Sequence, residues 1–332
     1  MNNEHDDESD ESRMMKISKK KIARVQLLRS IDNIVAVGSV ITLHLIVCSE
    51  FNDPIEGLLK ELDVKVILFY LENEENINNR NCSEESFKHI EYKVLNIFHV
   101  NNDVMVLKFN VVSIIGSCLN SYLKVIFNFK LNNNTSESFF IIPTIIGNFH
   151  IINDASNNHL KKSLLLHCYR NFDFEIPDVS GKNYNSSLLI KEEYGATLGS
   201  HVYDSSIVLM QFFINNIDIY IKNDTKFIEL GSGCGLIGVF LSKICNNKIN
   251  NNNKIILTDK KCQLKLLEEN IKLNESLNFC ISMELSWECK EHRNNLIRLK
   301  SELWREGNDI DIIIASDVMY DNDASKLFFD LI

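Results

Sequence analysis

"FIELGSGCGLIG", Phe227 to Gly238, gathers four glycines behind a short apolar run in a chain that has 12 glycines in 332 residues. A short apolar strand, a glycine-rich turn and an apolar helix make the first unit of an alternating pattern. Downstream follow strand "KIILTD", helix "CQLKLLEENIKLN", strand "CISMEL", a helix near "NNLIRLKSELW" and strand "IDIIIASD". Strands with continuous apolar runs, each followed by a helix, predict a parallel sheet covered on both faces. The fold class of residues 161–332 is thus α/β, a Rossmann-like doubly wound sheet. Upstream of the turn, "YRNFDFEI" and "NSSLLIKEEYG" read as short strands. "DSSIVLMQFFINN" reads as a helix with Asp204 or Ser205 as N-cap, apolar nearly all round and so buried.

In such a sheet ligands bind beyond the C-terminal strand ends, where the strand order reverses. Gly231, Gly233 and Gly235 can take dihedrals closed to residues with a Cβ and let a guest approach the main chain. The helix that follows offers free N–H groups and a positive dipole end, which makes an anionic group the expected guest; plain packing is the competing reading. Asp259 closes the second strand, where a carboxylate accepts hydrogen bonds from the hydroxyls of a ribose. Trp287, in "MELSWE", falls just past the third strand, where an indole can lie against a purine. "IIIASDVMYD" brings Asp317 and Tyr320 to the end of the fourth, a pair suited to holding an amine or a cation, with a helix cap as the alternative for Asp317.

Between Lys21 and Asp154 the period is two. Leu123, Val125, Phe127, Phe129 and Leu131 face one way in "SYLKVIFNFKL", as do Met105, Leu107, Phe109 and Val111 in "VMVLKFNVV". Asn-rich breaks separate such runs, so residues 21–160 are expected as an all-β, antiparallel, sandwich-like domain that serves binding or scaffolding. Residues 1–20, opening "MNNEHDDESDESR", read as a disordered acidic tail. "IVAVGSVITLHLIVC" is too short and too interrupted for a membrane span and reads as strand.

A net charge of -10 opposes capture of nucleic acid, which needs a basic face. The nine cysteines, Cys48, Cys118, Cys234, Cys262 and Cys289 among them, show no metal-ligand spacing, and dispersed His44, His89, His99 and His150 add none. Buried reduced thiols, no metal and a reducing compartment are expected. That points to the cytoplasm, with the nucleus also open.

Together these blocks resemble the seven-strand S-adenosylmethionine-dependent methyltransferases, most closely their family 16 protein-lysine methyltransferases of the methyltransferase-like 21 type. The resemblance runs from about Tyr184 to Ile332. It rests on "LGSHVYDSSIVL", with Tyr203 where the family has tryptophan, on "ELGSGCGLIG", on "TDKKCQLKLLEENIKLN" with Asn270 and Asn274, on Trp287, and on Asp317 through Tyr320. It implies that Glu229 and the glycine turn border the methionine part of the cofactor, Asp259 its ribose and Trp287 its adenine. Tyr203 and Ser316 complete the implied cofactor-binding set. Asp317 and Tyr320 are the implied catalytic pair, facing the sulfonium and an incoming lysine amine of a protein substrate.

The family pattern continues past D-x-x-Y with a helix and three strands, whereas "KLFFDLI" ends inside that helix, so the resemblance implies a sheet incomplete after the fourth strand. Three other readings stay open: methyl transfer to RNA or a small molecule, an inactive cofactor-binding or interaction protein, and a dinucleotide oxidoreductase. The last is opposed by Leu236, which stands where G-x-G-x-x-G needs glycine.

Overall fold

The computed structural model describes residues 21–29, 31–49, 54, 55, 58, 62–70, 90–100, 104–114, 118–129, 139–152, 164, 167–177, 183–194, 197–222, 225–248, 254–304, 310–320 and 322–331. The expected tail at 1–20, His89 and Leu131 lie outside them, as do the side chains of His99, Cys118, Phe127 and Phe129.

Among the described residues eleven strands come first: β1 (Lys21–Leu27), β2 (Ile34–Ala36), β3 (Val40–Cys48), β4 (Leu62–Tyr70), β5 (Ile90–His99), β6 (Met105–Ile114), β7 (Cys118–Phe129), β8 (Phe139–Ile142), β9 (Thr144–Ile152), β10 (His167–Pro177) and β11 (Asn183–Glu193). They build one sheet in the order β5-β6-β3-β1-β8 and a second in the order β11-β10-β9-β7-β4, with β2 beside β9. Most pairs are antiparallel, but β1 with β8 and β2 with β9 run parallel, a departure from the uniform pattern expected. Pro143 marks the point between the two strands concerned, β8 and β9. Lacking an N–H, it ends β8 and stands where the chain passes from one sheet to β9 of the other.

The alternating residues are buried as period two requires: Met105, Leu107, Phe109, Val111, Leu123 and Val125 share one apolar core with Leu43, Leu45, Phe149 and Ile151 from facing strands. "IVAVGSVITLHLIVC" folds as β2, a turn at Gly38 and β3. No helix among the described residues is long and apolar enough to cross a membrane. Pairing continues past residue 160, since Cys168, Tyr169 and Arg170 of β10 stand in register opposite Ile146, Ile145 and Thr144 of β9.

The remaining elements are a short 3-10 turn (Leu198–Ser200), α1 (Asp204–Asn215), α2 (Ile217–Tyr220), β12 (Phe227–Leu230), α3 (Leu236–Lys248), β13 (Ile255–Asp259), α4 (Lys261–Leu273), β14 (Cys280–Glu284), α5 (Lys290–Trp304), β15 (Ile312–Ala315) and α6 (Asn322–Leu331). The four strands pair in parallel in the order β14-β13-β12-β15, as the β/α alternation predicts. Side chains of β12 alternate between two layers. Phe227 packs with α1, α3, α4 and the β10–β11 hairpin, and Ile228 and Leu230 pack with α5 and α6. The strand order reverses between β12 and β15, which places the switch point beside the glycine turn. Helix α1 departs from expectation: Ile207, Met210, Phe213 and Ile214 are buried, but Val208 and Phe212 are exposed because only one flank meets α3. Cys262 is also exposed, on the outward first turn of α4, while Cys48, Cys168, Cys234, Cys245 and Cys280 are buried, reduced thiols.

Candidate functional site

All four residues of β12 are buried, and the chain leaves the strand through Gly231, Gly233 and Gly235 at φ of 64°, 54° and 79°. Only glycine takes that left-handed backbone without strain. The three differ in what they face. A Cβ on Gly231 would lie 2.8 Å from Val318 and 3.7 Å from Trp287, so this glycine meets the ends of β15 and the loop after β14. One on Gly233 would lie 3.0 Å from the Gly199 carbonyl. One on Gly235 would lie 2.5 Å from Leu267, which makes Gly235 a seat for α4 rather than an opening for a guest.

The donors of the turn are used internally. Ser232 N–H goes to the Thr258 carbonyl at 2.9 Å, Gly233 N–H to Asp259 Oδ2 at 2.7 Å, and Gly235 N–H to the Ser232 carbonyl at 2.7 Å. Gly238 N–H goes to Glu229 Oε2 at 3.1 Å. Two of these amides, those of Gly233 and Gly238, are thus already met by carboxyl groups of the chain.

Glu229 alternates with Ile228 and Leu230 and so points into the layer under α3, not toward the strand ends. Burial pushes its carboxyl up to about 8, against the Gly238 and Ser232 hydrogen bonds that favour the charged form. It therefore holds the first turn of α3 from inside, and the implied place at the cofactor's methionine end passes to the main chain it supports. Asp259 stands at the rim: Oδ2 accepts from Gly233 and Oδ1 from Lys260 N–H, both at 2.7 Å. Burial raises its pKa, and the two amides oppose that shift.

Leu285 N–H donates to the Asp259 carbonyl at 2.8 Å, and Ser286 N–H donates to His292 Nδ1 at 3.1 Å, which fixes the loop carrying Trp287. The indole is half-buried, 5.7 Å from the Phe328 ring of α6 at 58°. At the fourth strand end Asp317 adopts φ of 57°, a left-handed conformation that costs a residue with a Cβ about 1 kcal/mol or more. That twist turns Val318 inward against Gly231 and leaves Asp317, Met319 and Tyr320 exposed. Helix α6 begins five residues later, at Asn322, so Asp317 does not cap it.

A strap from Thr197 to Ser206 passes in front of the turn. Tyr203 is the N-cap residue of α1, and its hydroxyl donates to the Leu198 carbonyl at 2.8 Å. Cys234 Sγ lies 3.4 Å from the Gly199 carbonyl, and Ser205 Oγ lies 2.9 Å from Ser316 Oγ. The structure thus gathers Gly231, Gly233, Asp259, Trp287, Ser316 and Asp317 at neighbouring strand ends, with Tyr203 on the strap. Glu229 and Gly235 lie behind them, and Tyr320 lies outside on the rim. Sequence reasoning missed Gly199, Ser205, Val318 and His292. Their signal was weak, since each becomes visible only through a partner distant in sequence. Two acidic groups, Asp259 and Asp317, border a site with an aromatic wall, an arrangement that suits a guest carrying hydroxyls and positive charge.

Residues 182–332 match the model of a family described as lysine methyltransferase. The chain is 26% identical over 153 residues to a UPF0665 family protein of Schizosaccharomyces pombe, covering 45% of this chain and 42% of that one. It is 29% identical over 106 residues to the protein-lysine N-methyltransferase EFM6 of Saccharomyces cerevisiae, covering 32% and 42%. With the protein-lysine methyltransferase METTL21E of Mus musculus it shares 30% over 126 residues, covering 37% and 45%. The matched stretches span less than half the length of each of these relatives.

Proposed function

We propose that this chain, whose residues 182–332 match the lysine methyltransferase family, carries S-adenosylmethionine-dependent methyl transfer to a lysine side chain of a protein. The observation that carries the proposal is the meeting of Gly231, Asp259, Trp287 and Asp317 at the switch point of the parallel sheet.

The residues fit the cofactor. Asp259 spends one lone pair of each oxygen on main-chain N–H groups and keeps the others for ribose hydroxyls. Trp287 offers an indole for the adenine, and half-buried Gly231 and Gly233 carry the turn's main chain past the strand end beside it. Tyr203 and Ser316, on the strap and on the end of β15, close the opposite side. The cofactor supplies a methyl carbon made electrophilic by cationic sulfur. What the chain supplies is placement. Asp317 favours positive charge on the incoming nitrogen, Tyr320 directs its lone pair, and the exposed rim lets the ammonium proton pass to water before attack. No dedicated base is needed. The acidic rim and the net charge of -10 weigh against an RNA acceptor, and the buried reduced thiols fit a cytoplasmic protein.

Calorimetry with S-adenosylmethionine tests the site, and transfer of labelled methyl groups into a cell lysate tests the acceptor. Label lost to protease but not to ribonuclease is the expected result. Absence of saturable binding overturns the proposal, and Asp317→Ala with intact binding and unchanged transfer removes Asp317 from the mechanism.

A further inference from the structure

The strap that carries Tyr203 and Ser205 has little apolar anchorage of its own. Val202 and Ser200 are buried, Leu198 is 66% exposed, and the N-cap side chain of α1 makes no capping hydrogen bond. Polar groups from β1 and β11 hold it instead. Glu192 Oε1 accepts the Val202 N–H at 2.8 Å, and Arg24 Nη1 donates to the Val202 carbonyl at 2.6 Å. Arg24 Nη2 also pairs with Asp204, the first residue of α1. Behind Glu192, Arg170 Nε donates to Oε2 at 2.8 Å, while Arg170 Nη1 reaches the Val25 carbonyl and Thr144 Oγ1, each at 2.7 Å. Arg24, Arg170 and Glu192 are 2%, 0% and 1% exposed, so the network is closed to water and each member depends on the others.

We propose that Arg24, Glu192 and Arg170 are positioning residues for the cofactor site, fixing Val202 so that Gly199 meets Gly233 and Cys234 beyond β12 and Ser205 meets Ser316 beyond β15. β1 and β10, which precede the matched stretch, then belong to the methyl-transfer site itself through Arg24 and Arg170 and are not a detachable recruiting module. The geometry is specific to that task. Both main-chain groups of Val202 are held by side chains from β1 and β11, and the strap's far side meets Gly233, Cys234 and Ser316. A displacement of the Val202 main chain would move Tyr203 directly, because the two are adjacent, and small misplacements at a binding site are costly. This inference rests on the cofactor reading above.

The test compares Asp204→Ala, whose side chain is 28% exposed and so removable without opening the core, with Arg24→Met and the conservative Arg24→Lys. Two readouts are taken on folded protein: the Kd for S-adenosylmethionine by calorimetry and amide hydrogen exchange across 198–206. Asp204→Ala and Arg24→Met are expected to weaken binding about tenfold and speed exchange at Val202, with Arg24→Lys within about threefold of the unaltered chain. If Arg24→Met fails to fold, Asp204→Ala decides alone. Unchanged affinity in Asp204→Ala overturns the positioning role even if thermal stability falls. If the unaltered chain binds no S-adenosylmethionine, the cofactor reading fails, and exchange at Val202 that is unchanged by the substitutions overturns the anchoring as well.

Discussion

Asn270 holds both main-chain groups of Lys191, its Oδ1 accepting the N–H at 2.8 Å and its Nδ2 donating to the carbonyl at 3.1 Å. One helical turn on, Asn274 does the same for Leu189, at 3.1 and 2.7 Å. The fit is metric: four helical residues rise about 6 Å and two strand residues about 6.6 Å, so side chains at i and i+4 reach alternate residues of the strand. β11 is the edge of its sheet, and the two amides cover the outward groups that an edge leaves bare. Asn270→Leu strands buried polar groups and is expected to cost about 2–4 kcal/mol in urea unfolding. A loss under about 0.5 kcal/mol would show that water replaces the clamp.

Gly38 and Gly235 have nearly the same φ, 81° and 79°, but a Cβ on Gly38 meets nothing within 4 Å, whereas one on Gly235 meets Leu267 at 2.5 Å. Alanine at Gly38 is expected to cost about 1 kcal/mol for the dihedral alone. Alanine at Gly235 adds overpacking and should cost about 2–4 kcal/mol. Equal losses in matched denaturation curves would mean that α4 shifts freely to make room.

Glu229 couples folding to pH. Unfolded, its carboxyl ionises near 4.5; in the native chain burial delays that to about 8. Between those values the native state keeps a proton that the unfolded state has released, so rising pH favours unfolding, by up to about 5 kcal/mol across the window. Glu229→Gln keeps an acceptor for Gly238 and has nothing to ionise. Its stability advantage over the unaltered chain should therefore grow from pH 5 to pH 8, and parallel pH profiles would contradict a buried neutral carboxyl.

Asp317 separates stability from activity. Its left-handed backbone favours glycine, so Asp317→Gly should be about 1 kcal/mol more stable than Asp317→Ala. Both should lose methyl transfer if the carboxylate acts on the amine. A glycine variant that is both more stable and fully active would leave Asp317 as a turn residue alone.

The parallel sheet, the glycine turn and the strand-end places of Asp259, Trp287 and Asp317 were legible because each depends on a local rule: apolar period, turn chemistry, and the strand end that follows a run. The "N-I-x-x-N" spacing also showed that Asn270 and Asn274 share a helix face, without showing what they grip. Local rules failed where a residue's surroundings come from far along the chain. Glu229 looked like a pocket residue because its neighbours in sequence are, but strand alternation sends its carboxyl under α3. Gly235 looked like an opening, but Leu267 fills it. Helix α1 looked buried all round, and packing covered only one flank.

By itself, then, the sequence determined which residues lie at the strand ends, since a β/α repeat with these apolar runs has one way to bury them. The tertiary structure alone decided what faces those ends. Arg24 reaches Val202 across 178 residues and Arg170 reaches Val25 across 145. Such pairings carry no local signature: a buried arginine is tolerable only once the fold has brought its acceptors together, and no period or spacing in the chain encodes where they will be.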